Sequence, residues 1–310
     1  MKDALSAPTR RPLPLAAWRG VALRALVRGS RVAVLLLFAI FFGLPLIWLL
    51  LAPTKSDGAL VGSNPLSFGS FAQLGTAWSD LLLYNDKEIL TWAANSVYYA
   101  AASLVLTVLA CLPAGYALAV ARFPGRRLLL VVTLLTMIMP GSATVLPLFL
   151  EVNAVHQLNT PLSVILPSAF FPFGVYLAYI YFATSLPREL LAAGRIDGAS
   201  EIRLFRSIAL PLAKPILGLI AFFSFVGNWN NFFLPYVMLS DDTKYNLPVG
   251  LQALIANSPA LHPALGGSDL PIRRPEAALA GLIVVVPVLI VFLFSQRYVV
   301  AGMLAGAEKG

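Results

Sequence analysis

The sequence predicts an all-α integral membrane protein of six transmembrane helices, with one charged helical loop on the cytoplasmic side. Three observations carry this. Charged residues make up only 12% of the 310-residue chain, against about 25% in a soluble domain. Hydrophobic residues make up 59% and mean hydropathy is +0.82. The apolar residues are gathered into uncharged runs of about twenty, the length a helix needs to cross the hydrocarbon core. The single cysteine, Cys111, lies in one of these runs. No internal disulfide is possible, and the thiol reads as a small buried hydrophobe.

Residues 1–30 form a basic arm. The first run, 32–52, is too long for the apolar part of a signal peptide and follows too long an arm, so it reads as a retained anchor. With it, residues 31–90 form the first helix and an extracytoplasmic segment. The other runs are 91–121, 128–150, 161–186, 216–239 and 277–296. They set a core at 91–296 that includes a charged loop at 187–215, and a tail follows at 297–310. The second and fourth runs exceed what a bilayer needs, which implies tilt or interfacial ends. The outer segment 240–276 is rich in Pro and Gly toward its end and reads as an ordered loop or short hairpin-like excursion.

With six spans both termini share a side. That side holds 17 of the 22 Lys and Arg and 5 of the 14 acidic residues, and the other holds 5 basic and 9 acidic ones. The positive-inside rule makes the first side cytoplasmic. The net charge of +8 therefore reports topology, and nucleic acid has no role.

No charged side chain lies inside a run, and Glu151 stands just beyond the third. Intramembrane acids and bases mark proton relays and embedded catalysts, so their absence weighs against both. His156 and His262 lack Cys, His or acidic neighbours at ligand spacing, so no metal is expected. Pro45, Pro113, Pro140, Pro147, Pro167, Pro172, Pro235 and Pro287 each free backbone carbonyls. They fit ordinary packing and a mobile solute pathway equally. In "GNWNNFFLP", Ser224, Asn228, Asn231 and Pro235 share a stripe if the run is helical throughout, with Trp229 adjacent in sequence. The stripe is either an interhelical hydrogen-bond seam or the wall of a polar pathway.

Residues 187–214 suit two short helices, with Pro187 in the first turn and a bend between Gly194 and Gly198. Asp197 is placed to cap the second helix. On that helix Ile202, Phe205, Ala209 and Leu212 share a face, and Glu201, Arg203 and Arg206 lie away from it. Such a helix is built to dock, or else to lie among headgroups with its arginines on lipid phosphate.

This stretch, "PRELLAAGRIDGAS … LPLAKP", resembles the EAA loop of bacterial ABC importer permeases: Gly198 is followed, after nine intervening residues, by Ile208-Ala209-Leu210-Pro211. "NWNNFFLPYVML" is similar to the fifth-span pattern of the carbohydrate-importer branch. "QRYVVAGMLAGAEKG" is similar to the tail of its maltose-permease-G-like members. The likeness covers about residues 90–310. It implies a type I permease subunit in the bacterial inner membrane, passing a di- or oligosaccharide. It also implies a second, different permease, two copies of a cytoplasmic ATPase and an extracytoplasmic solute-binding protein.

By this resemblance the ATPase contact falls on Glu189, Ala192, Ala193, Gly194, Asp197, Gly198, Ile202, Phe205, Ile208 and Pro211. The sugar pathway falls on Ser224, Asn228, Trp229 and Asn231. The family's Glu-Ala-Ala aligns with Ala192-Ala193-Gly194, so its Glu is absent. Glu189, three residues earlier on nearly the same face, is the candidate to replace it. The chain has no Gly-x-x-x-x-Gly-Lys-Ser/Thr loop, so ATP and Mg are expected on the ATPase and no cofactor in this chain. Two alternatives stand beside this reading. One is a membrane-embedded transferase acting on a lipid-linked sugar, with Glu151 as its acid. The other is an importer of the same architecture for a phosphorylated polyol.

Overall fold

A computed structural model describes the backbone of residues 15–258 and 272–304 and the side chains of 26–258 and 272–297. Every regular element among them is helical. Helix α1 (Leu15–Leu51) runs into a 3-10 turn at Ala52–Thr54. None of residues 26–51 is buried within the chain, so their apolar side chains require lipid or another subunit. Two short helices follow, α2 (Asp57–Gly62) and α3 (Phe71–Leu83). An Asp57–Arg274 ion pair of 3.4 Å ties this segment to the start of the last helix.

Helix α4 (Glu88–Val120) is the central column. Its 33 residues extend about 50 Å at 1.5 Å per residue, well beyond a bilayer core. Its N-terminal end is stitched to the segment after residue 240. Trp92 Nε1 donates to the Asp242 carbonyl at 2.9 Å and Tyr99 to that of Lys244 at 2.8 Å. Asn95 donates to the carbonyls of Thr243 and Tyr245, and Leu247 N donates to Ser96 Oγ at 2.7 Å. Helix α14 (Leu247–Ala256) begins at that anchor. Residues 259–271 of the expected outer loop, His262 among them, lie outside the described residues.

Four helical stretches are long and apolar enough to cross a membrane: Leu26–Thr54, Glu88–Val120, Pro161–Thr184 and Arg274–Arg297. The other two expected spans differ in shape from straight helices. The third divides into α5 (Arg126–Ile138) and α6 (Gly141–Ala154), bent by 109°. Pro140 lacks an N–H and disfavours a helical Met139, whose ψ of 127° is extended. The fifth ends early: α12 (Lys214–Trp229) stops, the chain turns, and α13 (Phe233–Met238) follows. The fourth is interrupted between α7 (Pro161–Ala169) and α8 (Pro172–Thr184). The carbonyls at that break are met by α4, with Thr107 Oγ1 3.2 Å from Ala169 O and Cys111 Sγ 3.4 Å from Phe171 O. Broken backbone at membrane depth needs such partners.

Three clusters form the core. One joins α4, α8, the charged loop and α12 through Tyr116, Phe182, Leu191, Leu204 and Ile220. A second joins α3, α4, α14 and the last helix α15 (Arg274–Leu304) through Leu81, Trp92, Leu254 and Ala280. A third joins Tyr99 to Val145, Val164, Leu234 and Met238, where α6, α7 and α13 meet.

Candidate coupling loop and uncharged pocket

The loop opens with Pro187, which caps α9 (Arg188–Ile196). The helix ends in a Schellman turn. Ala199 N donates to Gly194 O at 2.9 Å and Gly198 N to Arg195 O at 3.1 Å. Gly198 takes φ +77°, the left-handed conformation that glycine adopts without a Cβ penalty. Asp197 ends α9 and is not the cap of the next helix, as the sequence had suggested. Ser200 is that cap, its Oγ accepting from Arg203 N at 3.4 Å.

Helix α10 (Glu201–Leu204) passes into a π turn at Phe205–Ala209, then α11 (Leu210–Leu212) and, after a 78° bend, α12. The widened turn lies just before Pro211, which has no N–H to give the turn behind it.

The π turn and the bend rotate the apolar positions apart. The expected shared face of Ile202, Phe205, Ala209 and Leu212 is therefore split. Leu204 and Ala209 are buried against the bundle, with Phe205 and Ile208 half-buried beside them. The Phe205 ring lies 5.2 Å from that of Tyr116. Leu204 lies so close to Gly194 that a Cβ there would stand 2.5 Å from Leu204 Cδ2. Ile202 is 67% exposed and Ile196 87%, with Leu190 and Leu212 also outward.

Glu201 does not stand apart either. It folds back across the bend to Arg195, with Nε–Oε1 at 2.7 Å and Nη2–Oε2 at 3.2 Å, and the Tyr116 hydroxyl donates to it at 3.5 Å. The Arg195 guanidinium holds the Glu201 carboxyl below its usual range. Glu189, Ala192, Ala193, Asp197, Gly198 and Pro211 are all exposed.

The expected stripe of Ser224, Asn228, Asn231 and Pro235 is broken, because α12 ends at Trp229. Asn228 Nδ2 donates to Ser224 Oγ at 3.2 Å within the helix. Trp229 turns away, 4% exposed, with its indole N–H on the Val284 carbonyl at 2.8 Å and its ring stacked on Phe225. Asn231 lies in the turn and donates to Ser168 Oγ at 3.3 Å, while Asn246 Nδ2 holds the Asn231 carbonyl at 2.7 Å. Asn231 and Ser168 line a cavity of about 380 Å³ with Ser142, Thr144, Phe233 and Leu148, and no charged side chain lines it. Ser142 and Thr144 gave no signal in the sequence. They reach the cavity only because the chain breaks at Pro140.

Residues 111–304 match the family described as "Binding-protein-dependent transport system inner membrane component". The chain belongs to this family. As an inner-membrane component it is similar to the arabinooligosaccharides transport system permease protein AraQ of Bacillus subtilis. The two are 31% identical, over 90% of this chain and 96% of that one. It is 32% identical to the diacetylchitobiose uptake system permease protein NgcG of Streptomyces coelicolor, over 89% and 87% of the two chains.

Its fold matches a chain of the crystal structure of a bacterial ABC transporter involved in the import of the acidic polysaccharide alginate. The TM-score is 0.73 at 25% identity, covering 90% of this chain and 98% of that one. The inner-membrane component is thus a multi-pass transport subunit, not an enzyme, and the transferase alternative with Glu151 falls. Membership brings with it a second permease, an ATPase and a binding protein as the working assembly.

Proposed function

We propose that this subunit pairs with a second, different permease to pass a neutral di- or oligosaccharide inward, driven by two ATPase copies docked on residues 187–215. Both termini then lie in the cytoplasm. The carrying observation is the uncharged cavity at Asn231, a mostly apolar hollow into which the hydroxyls of Ser142, Thr144 and Ser168 and the Asn231 amide bring groups that both donate and accept. A sugar presents hydroxyls and weakly apolar ring faces. Neutral hydrogen-bonding groups beside an aromatic ring suit it without trapping it. A phosphorylated polyol calls for a cation that this cavity lacks. The names of the relatives, which specify arabinooligosaccharides and diacetylchitobiose, support the same class.

In this reading ATP and Mg sit on the ATPase copies, and this chain supplies the mechanical link. Leu190, Ile196 and Ile202 offer the ATPase an apolar contact, with Glu189 beside them. Leu191 and Leu204, packed in one cluster with Tyr116, and the Tyr116 hydroxyl on Glu201 fasten the loop to the end of α4, and the Arg195–Glu201 pair closes the loop on itself. A push on α9 therefore moves α4, α8 and α12 together. The α5–α6 bend and the turn at Asn231 are where the bundle is discontinuous, and the cavity lies between them.

The test is uptake of a labelled oligosaccharide by the assembled importer in proteoliposomes. Asn231→Leu is expected to reduce uptake at least tenfold while the subunits stay together and ATP hydrolysis continues. Unchanged uptake, or loss of the partner permease instead, overturns the reading.

A further inference from the structure

A second cavity, of about 860 Å³, lies where α4 ends and the charged loop begins. Its charged lining is Arg122, Arg126, Arg188, Arg195 and Glu201. Arg195 and Glu201 neutralise one another. Arg122, Arg126 and Arg188 have no carboxylate partner among the described residues.

Two of these guanidiniums are fixed in place by backbone carbonyls. Arg126 donates to Ala121 O and Ala119 O, both at 3.4 Å, and Arg188 to Ala119 O at 3.3 Å. Each keeps further N–H groups for a ligand, since a guanidinium carries five. The arginines come from two segments more than sixty residues apart in sequence, as the numbers of Arg122 and Arg188 show. The positive-inside rule accounts for their side of the membrane but not for their convergence on one cavity.

Helix α5 adds to the field. It starts with Arg126 and Arg127, has no acidic residue in its first turn and no side-chain cap. Its uncapped N–H groups and positive dipole end thus stand beside the arginines. A smaller cavity continues past Arg122 and Arg126 to Phe123 and Leu128, and the outward face of α5 carries exposed Leu128, Leu129 and Val132. A fork of cations next to an exposed apolar helix face at the end of a span matches an anionic headgroup with its acyl chains.

We propose that Arg122, Arg126 and Arg188 form a site for an anionic phosphate group presented by a membrane phospholipid, such as phosphatidylglycerol. A soluble phosphate shares the headgroup chemistry, but it leaves the apolar wall unused. The same cavity is lined by Ala192 and Arg195 of the loop, so a lipid held there also braces the loop. This proposal does not rest on the identity of the sugar.

The experiment uses the whole importer complex in nanodiscs of phosphatidylcholine alone or of equal parts phosphatidylcholine and phosphatidylglycerol, followed by native mass spectrometry of retained lipid. Wild type should keep phosphatidylglycerol in preference to phosphatidylcholine. Arg126→Gln and Arg188→Gln should each cut that retention about fivefold, the factor for one cation near an anionic surface. Arg31→Gln, in α1 just before the first apolar run, should not change it. If a glutamine variant fails to assemble, Arg126→Lys keeps the charge and should keep the preference.

Equal retention of both lipids, or equal retention by wild type and the glutamine variants, overturns the proposal. So does displacement of the lipid by excess inorganic phosphate, which assigns the site to a soluble ligand. Release of the ATPase from the glutamine variants with lipid retention unchanged also overturns it, since the arginines would then serve the subunit interface.

Discussion

Gly198 carries the sharpest single-residue expectation. A Cβ built there meets nothing within 4 Å, yet φ is +77°, so the penalty of substitution comes from the backbone, about 1–2 kcal/mol, and is worst for a β-branched side chain. Gly198→Val should insert normally but lose the ATPase on copurification, and Gly198→Asn should largely retain it because Asn tolerates this region. Equal behaviour of the two would refute the conformational argument. The two glutamates also divide. Glu189 has no ion pair or hydrogen bond among the described residues, whereas Glu201 is joined to Arg195. Glu189→Ala should weaken ATPase association directly. Glu201→Ala should have a smaller effect, within the 0–1 kcal/mol of an exposed pair, and none beyond it in an Arg195→Ala background. Because its folded carboxyl titrates below the ordinary value, the Glu201 contribution is complete above about pH 4.3. It is lost only as pH falls through the lowered value, so association near neutrality should not vary through this pair.

At the scale of the element, the breaks matter more than the helices. The α7–α8 interruption places the Ala169 carbonyl against Thr107. Thr107→Val keeps the shape and removes the donor, and should lower the thermal stability of the solubilised complex by about 0.6 kcal/mol, the average for such bonds in membranes. Thr107→Ser should not. If the two variants melt alike, the bond does not support the break. The end of α12 at Trp229 decides the candidate pathway in the same way. A continuous helix would have put Asn228 and Asn231 together, but the turn sends Asn231 to Ser168 and leaves Asn228 on Ser224.

The whole molecule presents α1 and α5 with their apolar residues exposed, so both depend on lipid or on the second permease. The charge asymmetry of 17 basic residues against 5 sets the expected orientation. A cysteine at Ser6 should resist an impermeant thiol reagent in intact cells and react in inverted vesicles. Cys111 is buried and adds little background. Labelling in intact cells would reverse the topology.

The sequence alone determined the class, the number of apolar runs, the charged loop and its glycine bend. Each of these depends on composition or on residues adjacent in the chain: uncharged runs, Lys and Arg between them, a glycine where φ must be positive. Tertiary structure decided the rest. Periodicity assumes an unbroken helix, and it therefore misplaced the stripe of Ser224, Asn228 and Asn231 once the chain turned after Trp229. The same assumption put Ile202 and Ala209 on one face, before the π turn separated them. The partners of Glu201, Asn231 and Trp229 and the gathering of arginines around one cavity depend on which helix ends meet. That is set by packing among residues 63 to 85 positions apart, such as Ser168 with Asn231 or Tyr116 with Glu201, and local sequence carries no record of such distant contacts.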